Sequence, residues 1–321
     1  MKGAAIGLIR PFRKGPTLRI AKRLGAAIKR RIAPDDGLRI EIDRLKINQG
    51  VLLGEMHRGK ESRCLKDFEF RVFSQWGEDG IIQHLINTID INEHTFIEFG
   101  VEDFSESNCR FLLMKDNWSG FVIDGSTENI RNLRSSYYYW MHDLNSVDSF
   151  ITKENINHLL SKSGFSNDLG ILSIDLDGND YHILEAIEGF TPRILICEYN
   201  ALFGPTRSIS VPYDPAFVRG GAHYSHVYYG ASLGAMKHVA ERKGYALVGT
   251  NSAGTNAFFA RNDLLNDKIA VQSLAGAYSM YKLRESRDRE GNLTYLGGDQ
   301  SIQSIRGLPV INVETGEMES L

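Results

Sequence analysis

Oxygen-bearing side chains follow two apolar runs of this chain, at the point where each run stops. The runs are residues 171–174 and 194–197. Short apolar runs predict strands buried on both faces of a parallel sheet, and the carboxyl ends of such strands line the ligand crevice. Carboxylate and amide oxygens are preferred ligands of hard cations, so we predict a Mg²⁺ site here. Its ligands would be Asp175, Asp177, Glu198 and Asn200.

The same residues also allow an interpretation without a metal. The segment Asp177–Asp180 reads Asp-Gly-Asn-Asp, which is typical of a turn that leads into a helix. Asp180 would then cap the N-terminus of that helix. Both interpretations stay open on the sequence.

Two earlier predicted strands also end in acids. Glu98 and Gly100 close the first strand, and Asp124 and Gly125 close the second. A Gly-x-Gly-x-x-Gly phosphate loop is missing, which argues against a dinucleotide. An acid at the second position commonly accepts hydrogen bonds from a ribose diol. The pair of acids therefore suits an adenosyl ligand that carries a cationic amino acid.

The order of predicted elements indicates the fold class. Strands alternate with helical stretches, which predicts an α/β, doubly wound, mostly parallel sheet. Strands at Tyr245–Thr250 and Ala257–Arg261, joined by a short polar turn, predict a terminal antiparallel hairpin. We divide the chain into a basic amphipathic N-terminal helical arm (1–34), a helical segment (35–66), the α/β domain (67–264, with an irregular insertion at 201–230) and an irregular C-terminal extension (265–321).

Five segments in this order resemble a known family. They are Ser74–Gly80, Ile97–Gly100, Val122–Gly125, Leu172–Tyr181 and Cys197–Asn200. Together, over roughly residues 68–262, the chain resembles the FkbM-type branch of class I S-adenosylmethionine-dependent methyltransferases. The turn after Glu98 departs from the usual glycine-rich loop. The resemblance implies a Rossmann-like fold, S-adenosylmethionine as cofactor, and O-methyl transfer to hydroxyls of sugars in polysaccharides or natural products.

Methyl transfer to a sugar hydroxyl needs in-line positioning and either a base or a cation, because the hydroxyl has a high pKa. Histidines are candidate bases, although each could equally pack or be solvated. Our candidates for the catalytic group are Asp175, His182, His223 and His226. We assign the cofactor to Gln75, Glu98, Gly100, Asp124, Gly125, Ser126 and Asp143.

Two other functions fit parts of the sequence. Asp175-Leu176-Asp177 is an Asp-x-Asp, which in glycosyltransferases holds a metal and a nucleotide diphosphate. A non-catalytic scaffold that keeps the methyltransferase fold is the third possibility. The acids at residues 98 and 124 favour the methyltransferase.

The N-terminal arm differs in charge from the rest of the chain. Residues 1–34 hold ten Lys or Arg and no acid, which leaves 27 basic against 40 acidic residues elsewhere. Apolar residues every fourth position predict a basic amphipathic helix that binds anionic lipid. A poorly ordered, solvated tail is the alternative. We expect no secretory signal and no nucleic-acid binding, since Phe12 is the one aromatic residue of the arm and the body is acidic. Three cysteines at unpatterned spacing predict a reducing, cytoplasmic setting. The basic arm predicts a peripheral position at the inner face of the membrane.

A heptad pattern follows the arm. Apolar positions alternate spacings of four and three from Leu38 to Met56, which predicts a helical seam that could pair subunits. Packing on the chain's own domain is the alternative. The heptad pattern therefore predicts a homo-oligomer. The second predicted partner, a saccharide or glycolipid acceptor, follows from the family resemblance.

Overall fold

The structure is a computed structural model that describes residues 36–321. The predicted basic arm, residues 1–34, lies outside the described residues. Two compact units divide between Lys46 and Ile47, and every residue of the site discussed below belongs to the second unit. The predicted heptad positions lie on helix α1, Asp36–His57, so this segment is helical as predicted. Pairing of subunits through this helix stays a prediction. Among the described residues, no helix is both long and apolar enough to cross a membrane.

Within residues 36–321, ten strands form two sheets. They are β1 Thr95–Phe99, β2 Ser119–Asp124, β3 Leu144–Asp148, β4 Ile171–Ile174, β5 Ile194–Glu198, β6 Ile209–Ser210, β7 Tyr245–Thr250, β8 Asn256–Arg261, β9 Pro309–Asn312 and β10 Met318–Ser320.

The large sheet has the order β3-β2-β1-β4-β5-β8-β7. Strands β1 to β5 are parallel, and β8 runs antiparallel to both β5 and β7. This arrangement confirms the predicted Rossmann-like, mostly parallel sheet with a terminal antiparallel hairpin. Its strands are almost fully buried, because helices cover both faces.

The helices connect the strands much as their apolar spacing predicts. The remaining helices are α2 Glu78–Thr88, α3 Arg110–Asp116, α4 Thr127–Arg134, α5 Tyr137–Met141, α6 Ile156–Ser161, α7 Asp180–Ala186, α8 Arg219–Ala222, α9 Leu233–Arg242, α10 Leu274–Ala277 and α11 Asp299–Ile305. Serine side chains cap three of them, since Ser126 accepts from the Asn129 amide, Ser232 from the Ala235 amide and Ser273 from the Gly276 amide.

Strand β3 was not predicted from the sequence. Its residues, Leu-Asn-Ser-Val-Asp, lie at the edge of the sheet with alternate side chains exposed, so no continuous apolar run marks it. The strand begins after Asp143, and Gly120 at the start of β2 pairs with Leu144. Asp143 therefore lies at the amino ends of the strands, opposite the cleft, and its assignment to the cofactor was wrong.

A small antiparallel sheet joins two segments that the sequence presented as irregular. Strand β6 belongs to the insertion, and it pairs with β9 of the C-terminal extension, which pairs in turn with β10. An ion pair of 2.6 Å between Arg207 and Glu319 joins the same two segments. The C-terminal extension is thus an ordered part of the fold, and it reaches the functional cleft.

Candidate functional site

A cleft of about 490 Å³ lies at the carboxyl ends of the parallel strands. Eight residues that the sequence assigned to the site line it: Gln75, Glu98, Gly100, Asp124, Gly125, Asp175, Asp177 and Glu198. Six assigned residues do not line it: Ser126, Asp143, His182, His223, His226 and Asn200.

Three carboxylates meet at one end of the cleft. The register of β4 with β5 pairs Ile174 with Cys197, so the next residues, Asp175 and Glu198, are neighbours. One carboxylate oxygen from each of Asp175, Asp177 and Glu198 lies within 4.8 Å of the others. We call these three residues the acid cluster. Burial, followed by repulsion from neighbouring acids, raises the pKa of Asp175 and of Glu198 well above the usual range. The pair therefore favours a shared proton or a bound cation.

A buried aspartate shapes the turn that carries two members of the acid cluster. Asp180 is fully buried, and its two oxygens accept from the amides of Leu176 (2.8 Å) and Gly178 (3.0 Å). Burial raises the pKa of Asp180 to about 7. Asp180 thus organises the turn that presents Asp175 and Asp177 to the cleft. It does not cap the helix as predicted, because it is the first residue of α7 and the N-cap position belongs to Asn179.

Arg219 brings a positive charge to the acid cluster. Its guanidinium lies 3.0 Å from Asp177, contacts Glu285, and donates through Nε to the carbonyl of His226 at 2.5 Å. The guanidinium carbon also lies 3.9 Å from the centroid of the Tyr229 ring. Asp177 consequently already has a cationic partner. Among the described residues, Asp175 and Glu198 have no such ion pair and face each other.

Glycine is required where the ends of β1 and β4 touch. Gly100 has φ +67°, and a Cβ placed there would lie 1.7 Å from the Asp175 carbonyl oxygen. Any side chain would push the two loops apart. The glycine therefore sets the distance between the first strand and the acid cluster.

Asp124 occupies the other end of the cleft. Its carboxylate accepts from the amides of Glu102 and Ser126, both at 2.8 Å. A longer bond of 3.4 Å comes from the Asn129 side-chain amide. An ionised carboxylate offers about four acceptor positions, so the two short bonds and this weak one leave room for a further donor. Phe150, just after β3, lines the cleft and is partly exposed. Its ring lies beside Gly125, the residue that follows Asp124. Ser126 instead caps α4 and lies outside the cleft lining.

Hydrogen bonds within the chain engage the Glu98 carboxylate. Its carboxylate accepts from the Ser107 hydroxyl (2.6 Å) and from the amides of Asn108 (2.8 Å) and Cys109 (3.1 Å). Burial raises the pKa of Glu98, and these bonds oppose that rise. The carboxylate thus anchors the loop that leads into α3, and its oxygens are engaged before any ligand arrives.

The three histidines lie away from the cleft, so their assignment as candidate bases is corrected. His182 is buried with Nε2 2.8 Å from the Val211 carbonyl oxygen, and burial lowers its pKa. His223 contacts the Ser225 hydroxyl through Nδ1 at 2.7 Å. His226 has φ +60° and meets Arg219 through its backbone carbonyl. Asp175 is the candidate that the structure places at the cleft.

Asn200 also fails to join the acid cluster. Its side-chain amide donates to the carbonyls of Val227 (3.1 Å) and Tyr229 (3.0 Å), and its oxygen accepts from the Leu202 amide. The residue is fully buried and caps the short 3₁₀ turn Ala201–Phe203. The predicted fourth metal ligand is thus a structural residue of the insertion.

Several cleft residues carried no signal in the sequence. Ser149 and Phe150 follow the unpredicted strand β3, and finding that strand would have revealed them. Asn256 is the first residue of β8 and also lines the cleft. Five more come from the insertion and the C-terminal extension, where no periodicity or motif marks a side chain. They are Phe217, Arg219, Tyr281, Leu283 and Glu285.

Comparison with known proteins gives likenesses of fold only. No family model matches the chain, and no curated protein matches it. It is similar to an O-methyltransferase family protein from Burkholderia thailandensis, with 12% identity over 57% of this chain and 58% of that chain and a TM-score of 0.35. An S-adenosylmethionine-dependent methyltransferase from Clostridium acetobutylicum matches with 8% identity, 57% and 90% coverage and a TM-score of 0.37.

An O-methyltransferase from Bacillus cereus, solved with S-adenosylhomocysteine, matches with 10% identity, 74% and 95% coverage and a TM-score of 0.39. The chain thus spans just over half the length of the first of these three proteins. Likenesses this weak carry no argument about activity, which has to come from the cleft itself.

Proposed function

We propose that this protein is an S-adenosylmethionine-dependent O-methyltransferase that acts on a hydroxyl of a saccharide or glycoconjugate, and that it belongs to the FkbM-type branch. The observation that carries the proposal is the arrangement of the cleft. It joins Asp124, at the end of the second strand, to the acid cluster at the ends of β4 and β5. One end suits a ribose diol, and the other suits the activation of a hydroxyl.

The residues around Asp124 fit an adenosyl group. The carboxylate is fixed by two amides, Gly125 keeps the neighbouring backbone open, and Phe150 offers an aromatic face for a base. When bound there, S-adenosylmethionine would supply an electrophilic methyl group. Because the Glu98 carboxylate is already engaged, we assign it the task of positioning the loop 102–108 around the ligand rather than pairing with an ammonium.

The acid cluster would act on the acceptor. A general base works best when its pKa is close to the working pH, and burial raises the pKa of both Asp175 and Glu198 in that direction. We propose that this pair accepts the hydroxyl proton. Phe217 and Tyr281 line the same end and would pack against sugar rings.

The proposal also includes a Mg²⁺ ion held by the acid cluster. Asp175, Asp177 and Glu198 offer hard oxygen ligands within a short distance of one another, which suits that ion. The ion would supply Lewis acidity to an acceptor hydroxyl.

Binding of S-adenosylhomocysteine tests the proposal directly. We expect the product to raise the melting temperature by several degrees at a hundredfold excess over its Kd, since binding to the folded state alone adds about 2.7 kcal/mol. The measurement is differential scanning fluorimetry, followed by transfer of a labelled methyl group to a panel of methyl glycosides. Stabilisation by a nucleotide sugar with none by millimolar S-adenosylhomocysteine would contradict the proposal.

We also propose that residues 1–34 bind an anionic membrane surface. Their ten basic residues, unopposed by acids, give roughly 1 kcal/mol of attraction for each charge near such a surface. Deletion of residues 1–34 should therefore reduce co-sedimentation with phosphatidylserine vesicles at physiological salt. Vesicles of phosphatidylcholine alone serve as the control, and equal sedimentation of both proteins with the anionic vesicles would rule the proposal out.

A further inference from the structure

The segment Ser74–Gly80 holds a buried carboxylate that the proposed function does not use. Glu78 is fully buried at the start of α2. One oxygen accepts from the amides of Trp76 and Gly77, both at 2.9 Å. The other oxygen accepts from the side-chain amides of Asn251 (2.6 Å) and Asn256 (3.0 Å). Four donors thus hold one carboxylate, and the carboxylate in turn orients two asparagines.

The orientation of Asn256 follows from this contact. An ionised carboxylate can only accept hydrogen bonds, so Asn256 has to turn its NH₂ group toward Glu78. Its carbonyl oxygen Oδ1 then points elsewhere, and it is buried with no hydrogen-bond partner. Asn251 differs, because its own oxygen accepts from the amides of Thr255 and Asn256. An unpaired buried acceptor is costly, so a partner for Asn256 Oδ1 would recover free energy.

A second unpaired acceptor lies beside the first. Strands β5 and β8 pair Glu198 directly with Asn256, and opposite residues of an antiparallel pair extend from the same face about 5 Å apart. Oε2 of Glu198 is also buried without a partner, and both residues are more than nine-tenths buried in the cleft lining. Asp175 is the next neighbour of Glu198 on β4. Three oxygen-bearing side chains therefore form a row across three adjacent strands.

We infer that Asn256 supplies a neutral oxygen to a divalent-cation site formed with Asp175 and Glu198, and that Glu78 is the residue that positions it. This inference rests on the metal component of the proposed function and changes its ligand set. Asn256 takes the place that the sequence gave to Asn200. Asp177 is left to its partner Arg219.

The charges agree with this assignment. Two carboxylates and a neutral amide oxygen balance a divalent cation, while the Arg219 guanidinium balances Asp177 and Glu285 in part. The ligands are all oxygen atoms, which selects Mg²⁺, Mn²⁺ or Ca²⁺ over metals that prefer imidazole or thiolate. A ligand oriented by a buried hydrogen bond is also the common arrangement at metal sites, where the outer partner sets the geometry.

Direct binding of Mn²⁺ to the full-length protein tests the inference. Electron paramagnetic resonance of free Mn²⁺ gives the Kd for the wild type and for Asn256→Ala, Asn256→Ser, Glu78→Gln and the control Asn145→Ala on the exposed edge of β3. We expect Asn256→Ala and Glu78→Gln each to weaken binding about tenfold or more, and Asn145→Ala to leave the Kd unchanged. Asn256→Ser keeps a donor for Glu78 and guards against misfolding of the alanine variant.

The outcomes separate this inference from the proposed function. Wild-type Kd values in a folded Asn256→Ala or Asn256→Ser variant overturn the inference alone. Lack of Mn²⁺ binding by the wild type at millimolar concentration overturns both the inference and the metal component. Stabilisation by S-adenosylhomocysteine, measured on the same samples, reports on the methyltransferase proposal independently of either result.

Discussion

Asp124→Ala is expected to abolish stabilisation by S-adenosylhomocysteine. The substitution removes the carboxylate that would accept two ribose hydroxyls, and each hydrogen bond to a charged group contributes about 1.5–3 kcal/mol. The loss corresponds to roughly a hundredfold increase in Kd or more. It also leaves the amides of Glu102 and Ser126 without their acceptor, which loosens that end of the cleft. Isothermal titration calorimetry measures the Kd.

The matched control for this substitution is Asp143→Ala. Asp143 is an exposed aspartate at the amino end of the sheet, so its loss should leave the Kd for S-adenosylhomocysteine unchanged. Near-ultraviolet circular dichroism checks that both variants are folded. Equal affinity of the Asp124 variant and the wild type would place the adenosyl group away from β2.

Gly100→Ala is expected to cost about 3 kcal/mol or more in the free energy of unfolding. A left-handed backbone conformation costs a non-glycine residue roughly 1–2 kcal/mol. The added Cβ would also lie 1.7 Å from the Asp175 carbonyl oxygen, so the ends of β1 and β4 must separate. Chemical denaturation gives the change, and we expect the acid cluster to lose its geometry together with the lost stability.

Gly164→Ala separates the two causes. Gly164 has φ +70°, close to that of Gly100, yet a Cβ there would meet nothing within 4 Å. Its replacement should therefore cost only the backbone strain, roughly 1–2 kcal/mol. If both variants lose the same stability, contact with the Asp175 carbonyl does not constrain position 100.

The half of the site that the sequence revealed lies at the ends of buried parallel strands. Runs such as residues 171–174 and 194–197 are apolar except for Ser173, because both faces of the sheet are covered, and each run ends where charged side chains become tolerable. The positions of Asp124, Asp175 and Glu198 follow from this local pattern. Strand β3 escaped the same reasoning, since an edge strand with exposed alternate residues needs no apolar run.

The other half depends on contacts between distant segments. Asn200 and Asn256 are the same residue type near the same carboxylate, and what separates their roles is the pairing of β5 with β8 across the chain. Histidine was chosen for its reactivity, but residue type does not report whether a ring faces a cleft or a backbone carbonyl. Arg219 and Glu285 meet only because a small sheet holds the insertion to the C-terminal extension.

That small sheet also imposes an order on the emergence of function during synthesis. The strands and loop that surround Asp124 are all encoded before residue 152, so they leave the ribosome before the rest of the cleft. The wall opposite needs Tyr281 and Glu285, and the β9–β10 hairpin that secures its framework is among the last segments to be made. A nascent chain therefore holds every residue around Asp124 well before it holds the opposite wall of the cleft.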